Sequence, residues 1–355
     1  MTIDHQPLAL LIILFLTSAA VVWFGGWRLA RHVAELTKVT GWGRAFTGML
    51  LLGGITSLPE VAAVGTSAAS GNAALAVNNL LGTASINILI LALADVAYGR
   101  GALTVVAARP ATLLQGVLVM LLATIVAMTV TVGDVPLFGV GAGSAILAAC
   151  ALAGLWLSSN YQHRHVWEVI DRPGHPASPA PDRRSLEVLE SDRGGRERSL
   201  RRLVTRIALA GALILVGGFF LSLSADAISV QTGLTAGMAG FLLVGLSTSL
   251  PEISSITAAI KLRQYELAIG DIFGTNIFNI MLIFFADLVY RGGPVLQQAG
   301  RFEAIGSILA VIMTGIFIVG LLERENRTIL RMGYDSLTAM LVFAAGLGLL
   351  ARAAD

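Results

Sequence analysis

Residues 53–101 and 245–293 of this chain align without a gap at a constant offset of 192, and 16 of the 49 aligned pairs are identical. The first segment reads GGITSLPEVAAVGTSAASGNAALAVNNLLGTASINILILALADVAYGRG. The second reads GLSTSLPEISSITAAIKLRQYELAIGDIFGTNIFNIMLIFFADLVYRGG. Shared hydrophobicity does not reproduce polar identities such as Thr56/Thr248, Ser57/Ser249, Pro59/Pro251, Glu60/Glu252, Gly82/Gly274, Thr83/Thr275, Asn87/Asn279, Asp95/Asp287 and Tyr98/Tyr290. The chain is an internal duplication, and its fold must accommodate two copies of one apolar unit studded with polar groups.

The surroundings of the two copies set the solvent. Of 355 residues, 55% are hydrophobic and 13% charged, where a soluble domain carries about a quarter charged residues. A bilayer-spanning helix needs roughly 20 apolar residues. Ten such spans are predicted, near 8–27, 45–69, 73–97, 109–131, 136–157, 205–224, 233–260, 265–289, 302–321 and 333–351. The expected fold class is an all-α polytopic membrane protein, with a first half at 1–157, a polar, Pro- and Arg-rich linker at 158–204, and a second half at 205–355. The end of the linker, near Arg196 to Arg206, is expected to form a basic surface helix. His163, His165 and His175 are read as solvated loop residues, and no EF-hand spacing appears there. Cys150 has no second cysteine to pair with and reads as helix packing. The net charge of +2 points to no nucleic-acid partner, and no obligatory protein partner is evident. Basic residues follow the first apolar run rather than precede it, the reverse of a signal peptide, so a retained first helix is expected.

With the N-terminus placed outside, 21 of the 24 Lys and Arg residues fall in cytoplasmic loops, the linker among them, and only Arg291, Arg301 and Arg352 fall outside. So strong a bias supports both the span count and the orientation, and a prokaryotic inner membrane is the expected location. Five spans per half is an odd number, so the two halves enter the membrane from opposite sides. The result is two inverted five-helix repeats, an arrangement that places substrate sites near the midplane.

Glu60 and Glu252 then sit deep inside apolar spans, where a carboxylate costs roughly 3 kcal/mol or more. No Lys or Arg lies at similar depth in the two repeats, so a cation or a proton is the natural partner. Pro59 and Pro251 lack the N–H that continues a helix and should open it locally, which membranes tolerate where the backbone lines a polar cavity. Thr56 and Ser57 share the helix face of Glu60, as Thr248 and Ser249 share that of Glu252. Thr83 with Asn87, and Thr275 with Asn279, are each four apart and present further oxygens on one face. Carboxylates, amides, hydroxyls and freed carbonyls suit a hard cation such as Ca²⁺, which takes 6–8 oxygens, and no His or Cys is near to suggest zinc or copper. Asn78, Asn79 and Asp271 are left open between ion pathway and structure, and Asp95 and Asp287, near helix ends, read as packing residues. No aspartyl-protease motif and no HExxH is present, so an enzyme is not expected, and no cofactor is implied. A passive cation channel is the rival from another class.

The paired motifs, GGITSLPE with Gly82-Thr83-Ala84-Ser85-Ile86-Asn87 and GLSTSLPE with Gly274-Thr275-Asn276-Ile277-Phe278-Asn279, resemble the alpha-repeats of the calcium/cation antiporter superfamily, and within it the sodium/calcium exchanger family. The ten-span layout with a central linker matches as well. The resemblance implies exchange of Ca²⁺ for Na⁺ by alternating access, with Thr56, Ser57, Glu60, Thr83, Asn87, Thr248, Ser249, Glu252, Thr275 and Asn279 as ion ligands. Ala84 replaces a usual Asn, Thr83 and Thr275 replace Ser, and Asn279 stands where many sodium-coupled members carry Asp. Proton-coupled relatives tend to have Asn at both positions, which keeps H⁺/Ca²⁺ exchange as the alternative, along with an antiporter for another cation such as K⁺ or Mg²⁺.

Overall fold

The computed structural model describes residues 5–69, 71–98, 103–161, 193–232, 245–323, 328–329 and 332–353. The first half contains α1 (Leu8–Thr40), α2 (Arg44–Thr47), a π-helical turn (Gly48–Gly53), α3 (Gly54–Thr56), α4 (Leu58–Ala69), α5 (Ala73–Tyr98), α6 (Leu103–Ala107), α7 (Pro110–Val132), a hairpin of β1 (Pro136–Leu137) and β2 (Val140–Gly141), and α8 (Ala142–Tyr161). The second half contains α9 (Arg193–Thr232), α10 (Gly245–Thr248), α11 (Leu250–Lys261), α12 (Tyr265–Val289), a 3₁₀ turn (Val295–Gln298), α13 (Arg301–Glu323), a hairpin of β3 (Thr328–Ile329) and β4 (Met332–Gly333), and α14 (Tyr334–Ala353). Among the described residues, eight helices are long and apolar enough to cross a bilayer, and the bent pair Arg44–Thr56 and Leu58–Ala69 adds a ninth. The span expected over 233–260 lies partly outside the described residues and is represented by α10 and α11. The protein is a helical, multi-pass membrane protein.

Three boundaries differ from expectation. α1 runs on to Thr40 because residues 28–40 are good helix formers, and it stops where Gly41 adopts φ 75°. α9 begins at Arg193 and continues through the apolar span to Thr232, so the basic stretch expected as a separate surface helix is its first turns. The fifth span starts at Ala142 rather than 136, because 136–141 pair as a hairpin. His163, His165 and His175, with most of the linker, lie outside the described residues.

The duplication extends well beyond the segment visible in the sequence. Adding 192 to the numbers of β1, β2, α4 and α8 gives the bounds of β3, β4, α11 and α14, and the two hairpins keep the same register. Sequence identity decays in these parts, but the backbone does not.

The halves interlock through two related carboxylates. Asp95 Oδ1 accepts from the Leu103 N–H at 2.6 Å and Oδ2 from the Gly333 N–H at 2.7 Å. Asp287 Oδ1 accepts from the Val295 N–H at 2.7 Å, while Oδ2 accepts from the Gly141 N–H and the Ser144 hydroxyl, each at 2.5 Å. Each acid thus closes the loop of its own half and holds the hairpin of the other, which gives the packing role expected of this pair a defined form. The two clasps join loops that the charge pattern assigns to one side each: Asp95 with 332–333, Asp287 with 140–141. Arg109 Nε, 3.0 Å from Glu266 Oε1, joins the start of α7 to the first turn of α12 on the Asp95 side. These pairings are those of an inverted repeat. Asp95→Ala and Asp287→Ala each leave two backbone N–H groups without this acceptor, while the Ser144 hydroxyl still bonds the Gly141 carbonyl at 3.0 Å; at roughly 1–3 kcal/mol for each buried unsatisfied group, both variants are expected to lower the melting temperature in detergent by a similar amount, measured by tryptophan fluorescence.

One crossing in the core brings two segments together backbone to backbone. A Cβ on Gly48 would stand 2.5 Å from the Leu267 carbonyl oxygen, and one on Gly53 2.5 Å from the Thr275 nitrogen. Reciprocally, a Cβ on Gly270 would stand 2.3 Å from the Ala45 carbonyl oxygen, and one on Gly274 2.3 Å from that of Met49. Four glycines let the α2–π-turn segment lie backbone-to-backbone on α12. The widened π-turn there absorbs an extra residue just before the helix break.

Candidate functional site

Both proline-bearing helices break one residue before the leucine of TSLPE. α3 ends at Thr56, Ser57 takes φ −75° and ψ 0°, and the path bends by 45° between 44–56 and 58–69. Ser249 repeats this conformation with φ −83° and ψ 1°, between α10 and α11. The opening expected from Pro59 and Pro251 is therefore present in both halves, and each Glu sits in the first turn of the helix that restarts.

All ten residues singled out by the sequence are buried in the protein interior, with Glu60, Glu252, Asn87, Asn279, Thr83 and Thr275 at 0% exposure. The two repeats meet there in exchanged contacts. Thr56 of the first repeat faces Glu252 of the second, and Thr248 of the second faces Glu60 of the first. Thr56 Oγ1 lies 3.1 Å from Thr275 Oγ1, and the Thr275 hydroxyl lies 3.5 Å from Glu252 Oε1. The Ser57 hydroxyl donates to the Gly53 carbonyl at 2.7 Å, holding the frayed end of the π-turn. Among the described residues, both oxygens of Glu60, Oε2 of Glu252, and the hydroxyls of Thr83 and Ser249 have no hydrogen-bond partner. Buried polar atoms are nearly always paired, so these uncommitted oxygens mark the candidate site.

One asymmetry within the repeats has a direct cause. Asn87 Nδ2 donates to Asn276 Oδ1 at 2.9 Å, and Asn276 Nδ2 donates to the Ala84 carbonyl at 3.1 Å. The reciprocal pair would join Asn279 to residue 84, but Ala84 has no side chain to offer. Asn279 is left with neither amide atom partnered among the described residues. The Ala84 departure visible in the sequence thus removes the side chain that would correspond to Asn276, while Asn276 itself engages Asn87 through its amide nitrogen and leaves Asn87 Oδ1 open. Asn276 was not among the expected site residues; the only signal for it was its mismatch with Ala84.

Asp271, left open by the sequence, borders this cluster and is fully buried. Asn78 and Asn79 are only partly buried. Among the described residues no three Asp, Glu, His or Cys side chains converge on one metal-sized position. The donors are two carboxylates from opposite repeats surrounded by neutral oxygens. A cavity of about 620 Å³ opens beyond the end of α4, lined by Ala68, Ala69, Gly71, Val289, Tyr290, Arg291 and Gly292, about two helical turns from Glu60.

The sequence pattern of the family described as sodium/calcium exchanger protein matches residues 10–161 and 203–345, which includes both broken helices and both Asn-bearing helices. The chain belongs to the sodium/calcium exchanger family. Inner membrane protein YrbG of Escherichia coli (strain K12) is 26% identical over 300 residues, 82% of this chain and 81% of that protein. The putative antiporter CaxA of Alkalimonas amylolytica is 29% identical over 124 residues, 34% of this chain and 39% of CaxA. A solved structure of the sodium-calcium exchanger NCX_Mj superposes with a TM-score of 0.70 at 15% identity, covering 96% of this chain and 99% of that one. Similarity at that level speaks for the exchanger fold, which this chain shares over nearly its whole length.

Proposed function

We propose that this chain is a secondary active antiporter that exchanges Ca²⁺ for Na⁺ by alternating access. Thr56, Ser57, Glu60, Thr83 and Asn87 from the first repeat, and Thr248, Ser249, Glu252, Thr275 and Asn279 from the second, serve as its ion ligands. The observation that carries this reading is the pair Glu60 and Glu252. Each is fully buried in a membrane helix, three of their four oxygens lack a hydrogen bond, and among the described residues neither pairs with Lys or Arg. Two bare carboxylates in a low-dielectric interior call for a compensating cation. An empty, doubly charged site is too costly to cross the membrane, so the return step needs a replacement ion on the same oxygens, and competition for shared carboxylates becomes obligatory exchange. Membership in the exchanger family and the similarity to the putative antiporter CaxA support the same reading. The charge pattern supports an orientation with the N-terminus outside and the linker cytoplasmic, and the similarity to the E. coli inner membrane protein supports that membrane.

The neutral pair Asn87 and Asn279 favours a second reading, H⁺/Ca²⁺ exchange. Uptake of ⁴⁵Ca²⁺ into proteoliposomes, driven separately by an outward Na⁺ gradient and an outward H⁺ gradient, separates the two. The Na⁺ gradient is expected to drive accumulation at least tenfold above a K⁺-equilibrated control. Uptake with the H⁺ gradient alone replaces Na⁺ by H⁺, and Ca²⁺ current without any counter-ion gradient marks a channel and rejects antiport.

A further inference from the structure

Asp271 is the one acid near the candidate site that the duplication does not explain. Its counterpart in the first repeat is the uncharged, partly exposed Asn79, whereas Asp271 is completely buried. The Thr56 hydroxyl, which bonds the Leu52 carbonyl at 2.9 Å, lies 3.4 Å from Asp271 Oδ1, and the Ser255 hydroxyl donates to Oδ2. From Thr56 the contacts continue to Thr275 at 3.1 Å and on to Glu252 at 3.5 Å. Two buried carboxylates are therefore linked by contacts through two hydroxyls, Glu252 Oε2 is buried without a hydrogen bond, and no Lys or Arg among the described residues pairs with either acid. Oxygen separations of this size match neighbouring ligands in the shell of a hard cation held at about 2.3–2.6 Å.

The layout also separates this group from the rest of the site. Residues 271, 275 and 279 lie on one face of α12 at i, i+4 and i+8, so Asp271 and Asn279 stand about 12 Å apart along the axis. A coordination shell about 5 Å across cannot touch both, and no three acids converge on one position. Asp271 and Asn279 therefore cannot ligate the same ion.

We propose that Asp271 is a cation-coordinating carboxylate that, with Glu252, Thr56 and Thr275, forms a second ion position beside the Glu60 position and sets how strongly a monovalent cation competes with Ca²⁺. This rests on the reading of the central site as a cation-exchange site. Asp271 supplies, two turns away on the same helix face, the negative charge that Asn279 does not carry. A cation held there draws on Glu252, so its binding and Ca²⁺ binding at the Glu60 position compete through one shared carboxylate.

The test is equilibrium binding of ⁴⁵Ca²⁺ to the purified full-length protein in detergent, with displacement by NaCl at constant ionic strength set with choline chloride. Glu60→Gln is expected to lose Ca²⁺ binding. Asp271→Asn is expected to raise the Na⁺ concentration for half-displacement at least tenfold, more than it weakens Ca²⁺ binding itself. Asp271→Glu, which keeps the charge but moves it by one methylene, is expected to shift Na⁺ displacement at least threefold and serves if the Asn variant misfolds. Na⁺ displacement unchanged in either folded variant overturns the role of Asp271 while leaving the antiporter reading intact. Wild-type protein that binds no Ca²⁺ overturns the antiporter reading, and this inference with it.

Discussion

Replacing Glu60 or Glu252 by Gln is expected to reduce Na⁺-driven ⁴⁵Ca²⁺ uptake at least 100-fold while leaving a monodisperse, folded protein. Gln keeps the shape of Glu and removes its charge. Both acids have 0% exposure, and three of their four oxygens lack hydrogen bonds, so few protein contacts are lost in the exchange. What is lost is the attraction between a desolvated carboxylate and the cation. Removing one partner of a buried ion pair costs about 3–5 kcal/mol, and each 1.4 kcal/mol is tenfold in affinity. Because neither acid has a salt bridge to break among the described residues, the melting temperature of the ion-free protein should stay level or rise. The result that sinks the assignment is robust uptake by both variants. A fall in uptake accompanied by aggregation would instead make the two acids structural.

The second large effect belongs to the glycine crossing. Gly274→Ala is expected to destabilise the protein by about 3 kcal/mol or more, at the upper end of what added methyl groups cost in a tight core. The new Cβ would stand 2.3 Å from the Met49 carbonyl oxygen and 2.5 Å from its Cα. These are backbone atoms, so no rotamer change relieves the overlap; the π-turn and α12 must part. Gly348→Ala is the control. Nothing lies within 4 Å of a Cβ there, and Ala is the better helix former by about 1 kcal/mol, so this variant should be neutral or slightly more stable. Thermal unfolding in detergent followed by size-exclusion chromatography reads both. Equal melting temperatures for the two variants would show that the crossing is looser than described. Since Thr275 and Asp271 flank Gly274 on the same helix, a partial separation should also weaken Ca²⁺ binding, which links this packing to function.

Much of this protein is legible in its sequence. Hydropathy marks where helices run, because a membrane helix must satisfy its own backbone and advertises itself as a long apolar segment. The duplication, the expected odd span count and the charge bias together point to an inverted arrangement. The two TSLPE segments point to buried acids beside broken helices, because proline and a mid-membrane carboxylate each need a structural answer. The hairpins at 136–141 and 328–333 were not legible: each strand is two residues long, too short for any periodicity to show. Asp95 and Asp287 are identical between the repeats, but the partners that make them clasps, at 333 and 141, lie 238 and 146 residues away.

What the sequence determined by itself was the class of fold and the residue types of the site, since both follow from local pattern and from the cost of polar groups in lipid. Only the tertiary structure decided which of those groups are free and which are spent. Asn87 and Asn279 are equivalent in the repeat, yet one bonds to Asn276 and the other bonds to nothing described. Asp271 is an isolated acid in the sequence, yet it joins Glu252 through Thr56 and Thr275 once α12 lies against the break at Ser57. Hydrogen bonds are settled over distances of about 3 Å between atoms from different segments, and no periodicity along one chain records which segments will meet.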